Sequence, residues 1–205
     1  MPETPQELYA RTMATADAEG RLPLPQQAMW EIFPFEPGSL RVKPLDPPVL
    51  PEPPRAGEGG QGCRRCERPD EDAVWSDDRW VLTGFADLGL PFGAMLMPRA
   101  HLDLGDLDDE HAADLGRLVV RITRAVEALD LVGRVHVNKW GDGGAHLHVF
   151  LLGRPAGLGQ LRGSNLALWE EMLPRTPAEL AGETLQVAVD ALVRHRGQHG
   201  GQARG

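Results

Sequence analysis

Residues 134–152, RVHVNKWGDGGAHLHVFLL, contain two short apolar segments separated by a glycine-rich loop. Apolar and polar residues alternate in 134–139 and in 145–152, which predicts a β-strand in each segment. The residues between them, WGDGG at 140–144, are typical of a loop. This stretch therefore predicts two strands joined by a glycine-rich connection.

His146 and His148 are the polar residues of the second predicted strand. Side chains two residues apart point to the same face of a strand, so both imidazoles project together beside the loop. The pair is either a polar site or two exposed histidines on a solvated sheet face. The opposite face is expected to enter the core through Leu147, Val149 and Leu151.

The remaining pattern predicts the elements around these strands. Apolar residues recur every three or four positions over 108–130, which predicts one long helix. Two further strands are predicted at 79–86 and 92–98, and two C-terminal helices at 164–173 and 177–194. Strands before and after a single long helix are typical of an α+β domain with a central antiparallel sheet.

Composition divides the chain into four segments. Residues 1–33 are predicted to be a helical segment, with a helix over 6–19, and residues 34–62 an irregular arm rich in proline and glycine. The compact domain with its C-terminal helices is predicted at 63–195, followed by a disordered tail at 196–205. The arm is either a free linker or packed along the domain surface through its aliphatic and aromatic residues.

The chain has 205 residues, a formal net charge of -9 and a pI near 5.2. This acidity argues against general binding of nucleic acid or of an anionic membrane surface, because both need a cationic footprint. It is compatible with a small nucleotide, which needs only a few local positive or N–H groups. Without a long apolar run or a typical signal sequence, we expect a cytoplasmic protein with no membrane segment.

The two cysteines, Cys63 and Cys66, are separated by two residues. A C-x-x-C pair binds zinc through two thiolates, and histidines must then supply the remaining ligands of a tetrahedral site. A redox pair is the second interpretation, although no strand-to-helix context of the thioredoxin type surrounds these residues. Two unligated thiols are the third.

Three motifs together resemble the histidine triad (HIT) superfamily, over residues 63–155. They are RWVLTGFADLGLPFGAMLMPRAHLDLGDL at 79–107, VHVNKWGDGG at 135–144 and AHLHVFLLGRP at 145–155. The resemblance implies a mixed fold around a central antiparallel sheet and frequent homodimers. It also implies chemistry on nucleoside phosphates or nucleotide sugars.

The resemblance further implies a structural zinc ion. In zinc-containing members of the family, two cysteines, the histidine of a Pro–basic–x–His turn and the first histidine of the triad hold the metal. The corresponding turn here is PRAH at 98–101. The implied ligands are therefore Cys63, Cys66, His101 and His146.

The usual His-x-His-x-His strand has only two histidines in this chain, so two assignments of the triad are open. In the first, the three places are His146, His148 and Phe150, which resembles galactose-1-phosphate uridylyltransferase. In the second, they are Gly144, His146 and His148. We favour the first, because it alone completes a Cys2His2 zinc site and because the second shortens the loop before the triad.

In the favoured assignment, His148 is the nucleophile that forms a nucleotidyl-histidine, and His146 is its catalytic neighbour and a zinc ligand. The amides of Gly141, Gly143 and Gly144 are expected to stabilise charge on the phosphate, since a glycine-rich loop approaches it closely. The resemblance implies further nucleotide contacts. These are Asn138 at the ribose and Trp140, which either stacks on the base or shields the site.

Two positions depart from the family pattern. Phe150 replaces a polar phosphate contact, and Ala94 stands where nucleotide-hydrolysing members commonly have a histidine. The retained His148 favours a zinc-stabilised hydrolase or nucleotidyltransferase of the HIT type. Phe150 favours a binding module of the same fold that holds a nucleotide or a partner without turnover. A small zinc protein whose proline-rich arm is the functional part is a third interpretation.

Overall fold

The computed structural model of the chain contains two compact units, which meet in sequence between Pro54 and Arg55. The first unit has a short helix over residues 10–13 and a 3-10 helix, Gln26–Met29. Residues 6–9, the first four of the helix predicted over 6–19, lie outside the described residues. The structure describes residues 10–30, 33, 35, 36, 38, 40, 44, 46–85 and 87–199. No helix within these ranges is long and apolar enough to cross a membrane.

Five antiparallel strands form one sheet in the second unit. They are β1 (Ala73–Ser76), β2 (Trp80–Gly84), β3 (Phe92–Pro98), β4 (Val132–Asn138) and β5 (Val149–Pro155). Their order across the sheet is β1-β2-β3-β5-β4, so β3 is the central strand and pairs with β2 on one side and β5 on the other. Strand β1, which the sequence analysis missed, is short and has an irregular register with β2.

Four α-helices accompany this sheet. They are α1 (Arg64–Glu67), α2 (Asp109–Glu127), α3 (Leu166–Met172) and α4 (Ala178–His199). Buried residues of α2 and α4 share one hydrophobic cluster with residues from all five strands. The predicted α+β class with a central antiparallel sheet, one long helix and C-terminal helices is confirmed.

Helix α2 forms where the spacing of apolar residues predicts it. Asp108 caps its start by accepting a 2.8 Å hydrogen bond from the His111 amide, and two acidic residues occupy its first turn. Its buried residues, Leu118, Ile122 and Val126, are among the apolar positions that recur along it. The helix thereby covers the sheet with one face and leaves its charged face exposed.

Strand β5 begins at Val149, whereas the sequence predicts a strand from residue 145. Its ladder with β3 starts at Leu96 opposite Val149, and two residues further along β3 is Pro98, which has no amide hydrogen to donate. The Leu147 amide donates instead to a carbonyl outside the sheet. Both histidines therefore lie in the segment that enters β5, not in the strand itself.

The predicted alternation of side chains nevertheless holds through this segment. Leu147 and Leu151 are fully buried, and Val149 lies in the same hydrophobic cluster. The residues between them face away from that cluster and line one cavity. They are His146, His148 and Phe150.

The folded domain begins earlier than predicted. The second unit starts at Arg55 rather than at Cys63, and a 3-10 helix, Glu58–Gly60, lies inside the region predicted to be an irregular arm. Ala56 forms a parallel bridge with Gly144 of the glycine-rich loop. The end of the arm is thus part of the domain, because its backbone pairs with the loop beside the histidines.

The last helix is longer than predicted. Helix α4 runs to His199, so residues 196–199 are helical where the sequence analysis places a disordered tail. Gly197 lies within this helix, and a single glycine costs only about 1 kcal/mol relative to alanine, which does not by itself end a helix. The rest of the predicted tail, residues 200–205, lies outside the described residues.

We expect Ile122→Ala to lower the free energy of unfolding by about 2–4 kcal/mol, because it leaves a cavity between helix and sheet. Ile122 is fully buried in the hydrophobic cluster. Val120→Ala, on the exposed face of the same helix, is the matched control and should change this free energy by less than about 0.5 kcal/mol. Denaturant unfolding measures both, and equal losses would contradict the assignment of the buried face.

Candidate functional site

Four potential metal ligands from three separate segments converge in the second unit. Cys63 precedes α1 and Cys66 lies within it, His101 follows β3, and His146 precedes β5. One ligand atom from each lies within 4.8 Å of the others. The Nδ1 atom of His146 is 3.5 Å from both Sγ atoms, and the Nδ1 atom of His101 is 3.3 Å from Sγ of Cys66.

These separations fit a tetrahedral zinc site. With Zn–S bonds of about 2.3 Å and Zn–N bonds of about 2.0–2.1 Å at tetrahedral angles, sulfur and nitrogen ligands are separated by about 3.6 Å. Two thiolates and two imidazoles form a closed set of four ligands, which is typical of structural zinc. The four residues that the family resemblance implies as ligands are thus brought together as a possible metal site.

The His146 ring is fixed by both of its nitrogen atoms. Its Nε2–H donates a 2.8 Å hydrogen bond to the carbonyl of Pro98, which places the lone pair of the neutral ring on Nδ1, facing the cysteines. Burial lowers the pKa of His146, and the nearby charges of His101 and Arg65 act in the same direction. A neutral imidazole is the form that binds a metal ion.

The environment of the Cys66 thiol disfavours its thiolate form. Desolvation is the main cause that raises the pKa of the Cys66 thiol to about 11, and the adjacent Cys63 adds to this effect. A bound divalent cation reverses this balance, because it stabilises the thiolate directly. Metal binding at this cluster therefore releases protons.

A glycine-rich loop positions Cys63. In GEGGQG at 57–62, Gly57 has a φ of 79°, in the region that favours glycine. A Cβ atom at Gly57 would lie 3.1 Å from the Cβ of Cys63, so a side chain there would press on the ligand. These glycines predicted an irregular arm. In the structure they allow the chain to turn tightly around the four potential metal ligands.

His148 lies beside this cluster and is oriented by it. Its Nδ1–H donates a 2.7 Å hydrogen bond to the carbonyl of His146, which leaves the lone pair of the neutral ring on Nε2. An ideal Cβ atom at Gly144 would lie 3.8 Å from Cε1 of His148, so the loop passes close to the ring. The arrangement presents one imidazole nitrogen with a fixed tautomer next to a glycine-rich backbone.

A cavity of about 380 Å³, called the first cavity below, opens in front of His148. Its walls include His146, Phe150 and the predicted phosphate-contacting residues Gly143 and Gly144. Among the residues that the structure describes, the amides of these two glycines have no hydrogen-bond acceptor. The cavity wall thus contains the His148 imidazole and two glycines whose amides have no acceptor among the described residues.

Phe150 belongs to an aromatic cluster at the edge of this cavity. Its ring is parallel to that of Phe85, with 5.9 Å between centroids, and it is 5.0 Å from the Trp140 ring and 5.4 Å from the His148 ring. Asn138 is the cross-strand partner of Phe150, so its side chain shares that face of the sheet. Neither Asn138 nor Trp140 lines the first cavity, although each neighbours Phe150, which does.

Ala94 has no part in the site. It is completely buried in the hydrophobic cluster and pairs with Leu151 across the ladder between β3 and β5. Its side chain therefore points to the face opposite His148. The departure from the family pattern at this position removes no contact from the first cavity.

Arg55 holds the glycine-rich loop, and the sequence analysis missed it. Its Nη1 donates to Asp103 at 2.6 Å and to the carbonyl of Gly141 at 3.1 Å, and Lys139 is 3.2 Å from the same carboxylate. Although partial burial opposes it, hydrogen bonding from Arg55, the Leu104 amide and Lys139 lowers the pKa of Asp103 to about 2. Arg55 is a single arginine between PEPP and AGEGG, and no pattern in the sequence around it predicts this role.

We expect about one zinc ion per chain in purified protein. Cys63→Ser should lose this metal and lower the Tm, because binding of a structural metal contributes to folding. His111→Gln removes an imidazole outside the cluster and should retain the zinc. Metal analysis and thermal unfolding measure both, and a metal-free wild type whose melting curve a chelator leaves unchanged would contradict the site.

Arg55→Gln should loosen the glycine-rich loop without removing the metal. The Ala145 amide donates to the Ala56 carbonyl at 2.9 Å, next to Arg55. We expect faster hydrogen exchange at this amide in the variant, with unchanged zinc content. Arg154→Gln, which also removes hydrogen bonds to carbonyl groups but lies away from the loop, is the control. Unchanged exchange in Arg55→Gln would show that the loop is ordered by other contacts.

No protein-family model and no curated protein matches this sequence. Solved structures that are similar to the chain include a zinc-bound histidine triad family protein from Mycobacterium smegmatis, with 18% identity and a TM-score of 0.48 over 66% of this chain and 96% of the other. A histidine triad protein from Bradyrhizobium japonicum has 22% identity and a TM-score of 0.44, covering 62% of this chain and 92% of its own.

A uridylyltransferase is also similar, with 23% identity and a TM-score of 0.41 over 64% of this chain and 44% of the other. At these identities the likeness concerns the fold, and any function has to be inferred from the residues of this chain itself. Histidine triad proteins, which the sequence motifs resemble, are thus among the solved structures that are similar to this chain.

Proposed function

We propose that this protein is a nucleotide-directed hydrolase or nucleotidyltransferase that acts through a nucleotidyl-histidine on His148 and is stabilised by a structural zinc ion. The observation that carries the proposal is the hydrogen bond from Nδ1 of His148 to the His146 carbonyl. In the neutral ring this places the lone pair on Nε2, beside a cavity whose wall includes two glycines with no acceptor for their amides among the described residues. An oriented imidazole and fixed N–H donors are what covalent nucleotidyl transfer needs.

The first chemical step is displacement at phosphorus. The Nε2 lone pair of His148 forms the bond to the α-phosphorus as the bond from phosphorus to the leaving oxygen breaks, and that oxygen keeps the electron pair. In the second step, water or an acceptor phosphate attacks the same phosphorus. The P–N bond then breaks, its electron pair returns to Nε2, and the proton of an attacking water passes to solvent.

The surrounding groups stabilise this reaction without taking part in bond making. The amides of Gly143 and Gly144 are available to the phosphoryl oxygens, whose negative charge redistributes during transfer. Phe150 offers no hydrogen bond, so its contribution is to hold the His148 ring by an edge contact and to exclude water from one wall. Asn138 and Trp140, which neighbour Phe150, are proposed to contact the ribose and the base of the bound nucleotide, respectively.

The geometry favours the first assignment of the triad, in which His148 attacks. Nδ1 of His146 faces two cysteine sulfurs and its Nε2 is bound to the Pro98 carbonyl, so neither nitrogen is available for attack on phosphorus. In this assignment Cys63, Cys66, His101 and His146 hold the zinc, whose chemistry is structural because all four positions are filled by protein. A cytoplasmic location and a homodimer remain predictions.

The alternative function is a binding module that holds a nucleotide without turnover. The observation that favours it is Phe150, an aromatic ring at the third place of the triad, where it contributes no polar group to the first cavity. In that case His148 contacts the phosphate as a hydrogen-bonding partner, and no covalent intermediate forms. Turnover and the trapping of a nucleotidyl-peptide distinguish the two functions.

His148→Ala and His146→Ala should separate chemistry from metal binding. We expect His148→Ala to lose more than about a thousandfold in turnover of nucleotide sugars and nucleoside diphosphates while keeping its zinc, since only the nucleophile is removed. His146→Ala should lose both the zinc and thermal stability. Mass spectrometry of the wild type should find the nucleotidyl group on the peptide that contains both histidines. Turnover by His148→Ala at the wild-type rate would contradict the assignment.

A further inference from the structure

Cys63 and Cys66 are the only two cysteines of the chain, and they differ in their access to solvent. Cys63 is buried, whereas Cys66 is exposed. Oxidation of a thiolate follows its exposure, so an oxidant in solution reaches Cys66 first. The buried neighbour is then placed to resolve the oxidised sulfur, as in a pair of attacking and resolving cysteines.

The backbone between the two cysteines has the geometry that a disulfide needs. The Glu67 amide donates a 3.0 Å hydrogen bond to the Cys63 carbonyl, so both cysteines belong to the first turn of α1. Positions three apart in a helical turn have Cα atoms about 5 Å apart, which lies within the range of about 4.4–6.8 Å found in disulfides. Their Sγ atoms lie within 4.8 Å of each other. Rotation of the two side chains is therefore enough to bring the sulfurs into bonding distance.

A zinc ion and a disulfide exclude each other at this position. Zinc binds cysteine through the thiolate, and a disulfide contains no thiolate. Oxidation of the pair would leave His101 and His146 as the remaining members of the set of four potential ligands. Two neutral imidazoles without the charge of two thiolates hold a dication weakly, so we expect the metal to leave.

We propose that Cys63 and Cys66 form a reversible redox switch that controls the proposed catalytic site. Hydrogen peroxide converts the pair to a disulfide, the zinc ion leaves, and His148 loses its fixed orientation. The proposal rests on the function and the structural zinc proposed above, and it adds regulation of that site by an oxidant.

The oxidation proceeds in two balanced steps. The Cys66 thiolate attacks one oxygen of the peroxide, the S–O bond forms as the O–O bond breaks, and hydroxide leaves with the electron pair. The Cys63 thiolate then attacks the sulfenic sulfur of Cys66, the S–S bond forms as the S–O bond breaks, and a second hydroxide leaves. The two thiolates lose two electrons in total, the peroxide gains them, and both hydroxides take up protons to become water.

The connection from the cysteines to the proposed nucleophile runs through His146. Its Nδ1 atom is 3.5 Å from both Sγ atoms, and its carbonyl accepts the 2.7 Å hydrogen bond from Nδ1 of His148. The Leu147 amide donates a 2.8 Å hydrogen bond to the carbonyl of Leu102, which follows the other potential histidine ligand, His101. Loss of the metal frees both segments that this hydrogen bond joins, so the backbone that orients His148 is released.

The first experiment oxidises the zinc-loaded wild type with hydrogen peroxide. A chromogenic chelator measures zinc release, and mass spectrometry after alkylation of the free thiols counts disulfides. We expect about one zinc ion released for each disulfide formed within a chain, and dithiothreitol with added zinc should restore the loaded protein. Four results would overturn the proposal: oxidation that stops at a sulfinic acid on Cys66, a disulfide between two chains, zinc retained after the disulfide has formed, or a wild type that binds no zinc.

Cys66→His is the matched variant, because it supplies a fourth potential ligand but removes the possibility of a disulfide. It should bind zinc and keep it at a peroxide concentration that empties the wild type. Zinc release from this variant at the wild-type rate would contradict the switch, because the peroxide would then act without a disulfide. If the variant fails to fold or to bind zinc, the ratio of released zinc to disulfide in the wild type decides.

Hydrogen exchange at the Leu147 amide reports whether the change reaches His148. We expect the exchange rate to rise roughly tenfold or more on oxidation and to fall back on reduction with added zinc. The Ile122 amide, within helix α2, is the control and should stay within about twofold. An unchanged rate at Leu147 in the oxidised, zinc-free protein would overturn the switch. None of these measurements uses turnover, so a wild type that turns over no nucleotide contradicts the proposed function separately.

Discussion

The convergence of Cys63, Cys66, His101 and His146 is the constraint on which the site depends. Their ligand atoms lie within 4.8 Å of one another although the residues come from three separate segments. The His146 ring is directed at the cysteines, and its backbone carbonyl accepts the hydrogen bond that sets the tautomer of His148. His146 therefore connects the four potential metal ligands to the His148 imidazole. Disorder among these ligands would disturb the orientation of His148 as well.

The opposite face of the same segment supplies the other half of this constraint. Leu147 and Leu151 are fully buried, and they alternate with the residues that line the first cavity. Because the side-chain period is two residues, a shift by one position would put His148 in the core and a leucine in the cavity. Hydrophobic burial thus selects the register, and the hydrogen bond to the His146 carbonyl orients the His148 ring within it.

Local patterns in the sequence predicted this alternation and the long helix α2, because both are expressed in spacing along the chain, whereas the set of four potential metal ligands was implied by the family resemblance. The start of β5 was predicted too early, since a hydrophobic pattern does not show that Pro98 on the neighbouring strand lacks an amide hydrogen. Gly57 was interpreted as part of an irregular arm, because a glycine that permits a tight turn and one that marks an unstructured segment look the same in sequence. The role of Arg55 depends on Asp103 and Gly141, which only the fold brings near it.

The charge distribution is compatible with the anionic substrate that we propose for this acidic protein. The chain has a formal net charge of -9, yet the described walls of the first cavity contain two arginines and no carboxylate. A Cys2His2 zinc site adds no net charge, since two thiolates balance the dication. At physiological ionic strength, exposed charges are screened over about 8 Å, so the overall acidity has little influence inside the cavity. A long polyanion meets the acidic surface along its length, whereas a small nucleotide meets only the local cations, which favours nucleotides over nucleic acid as ligands.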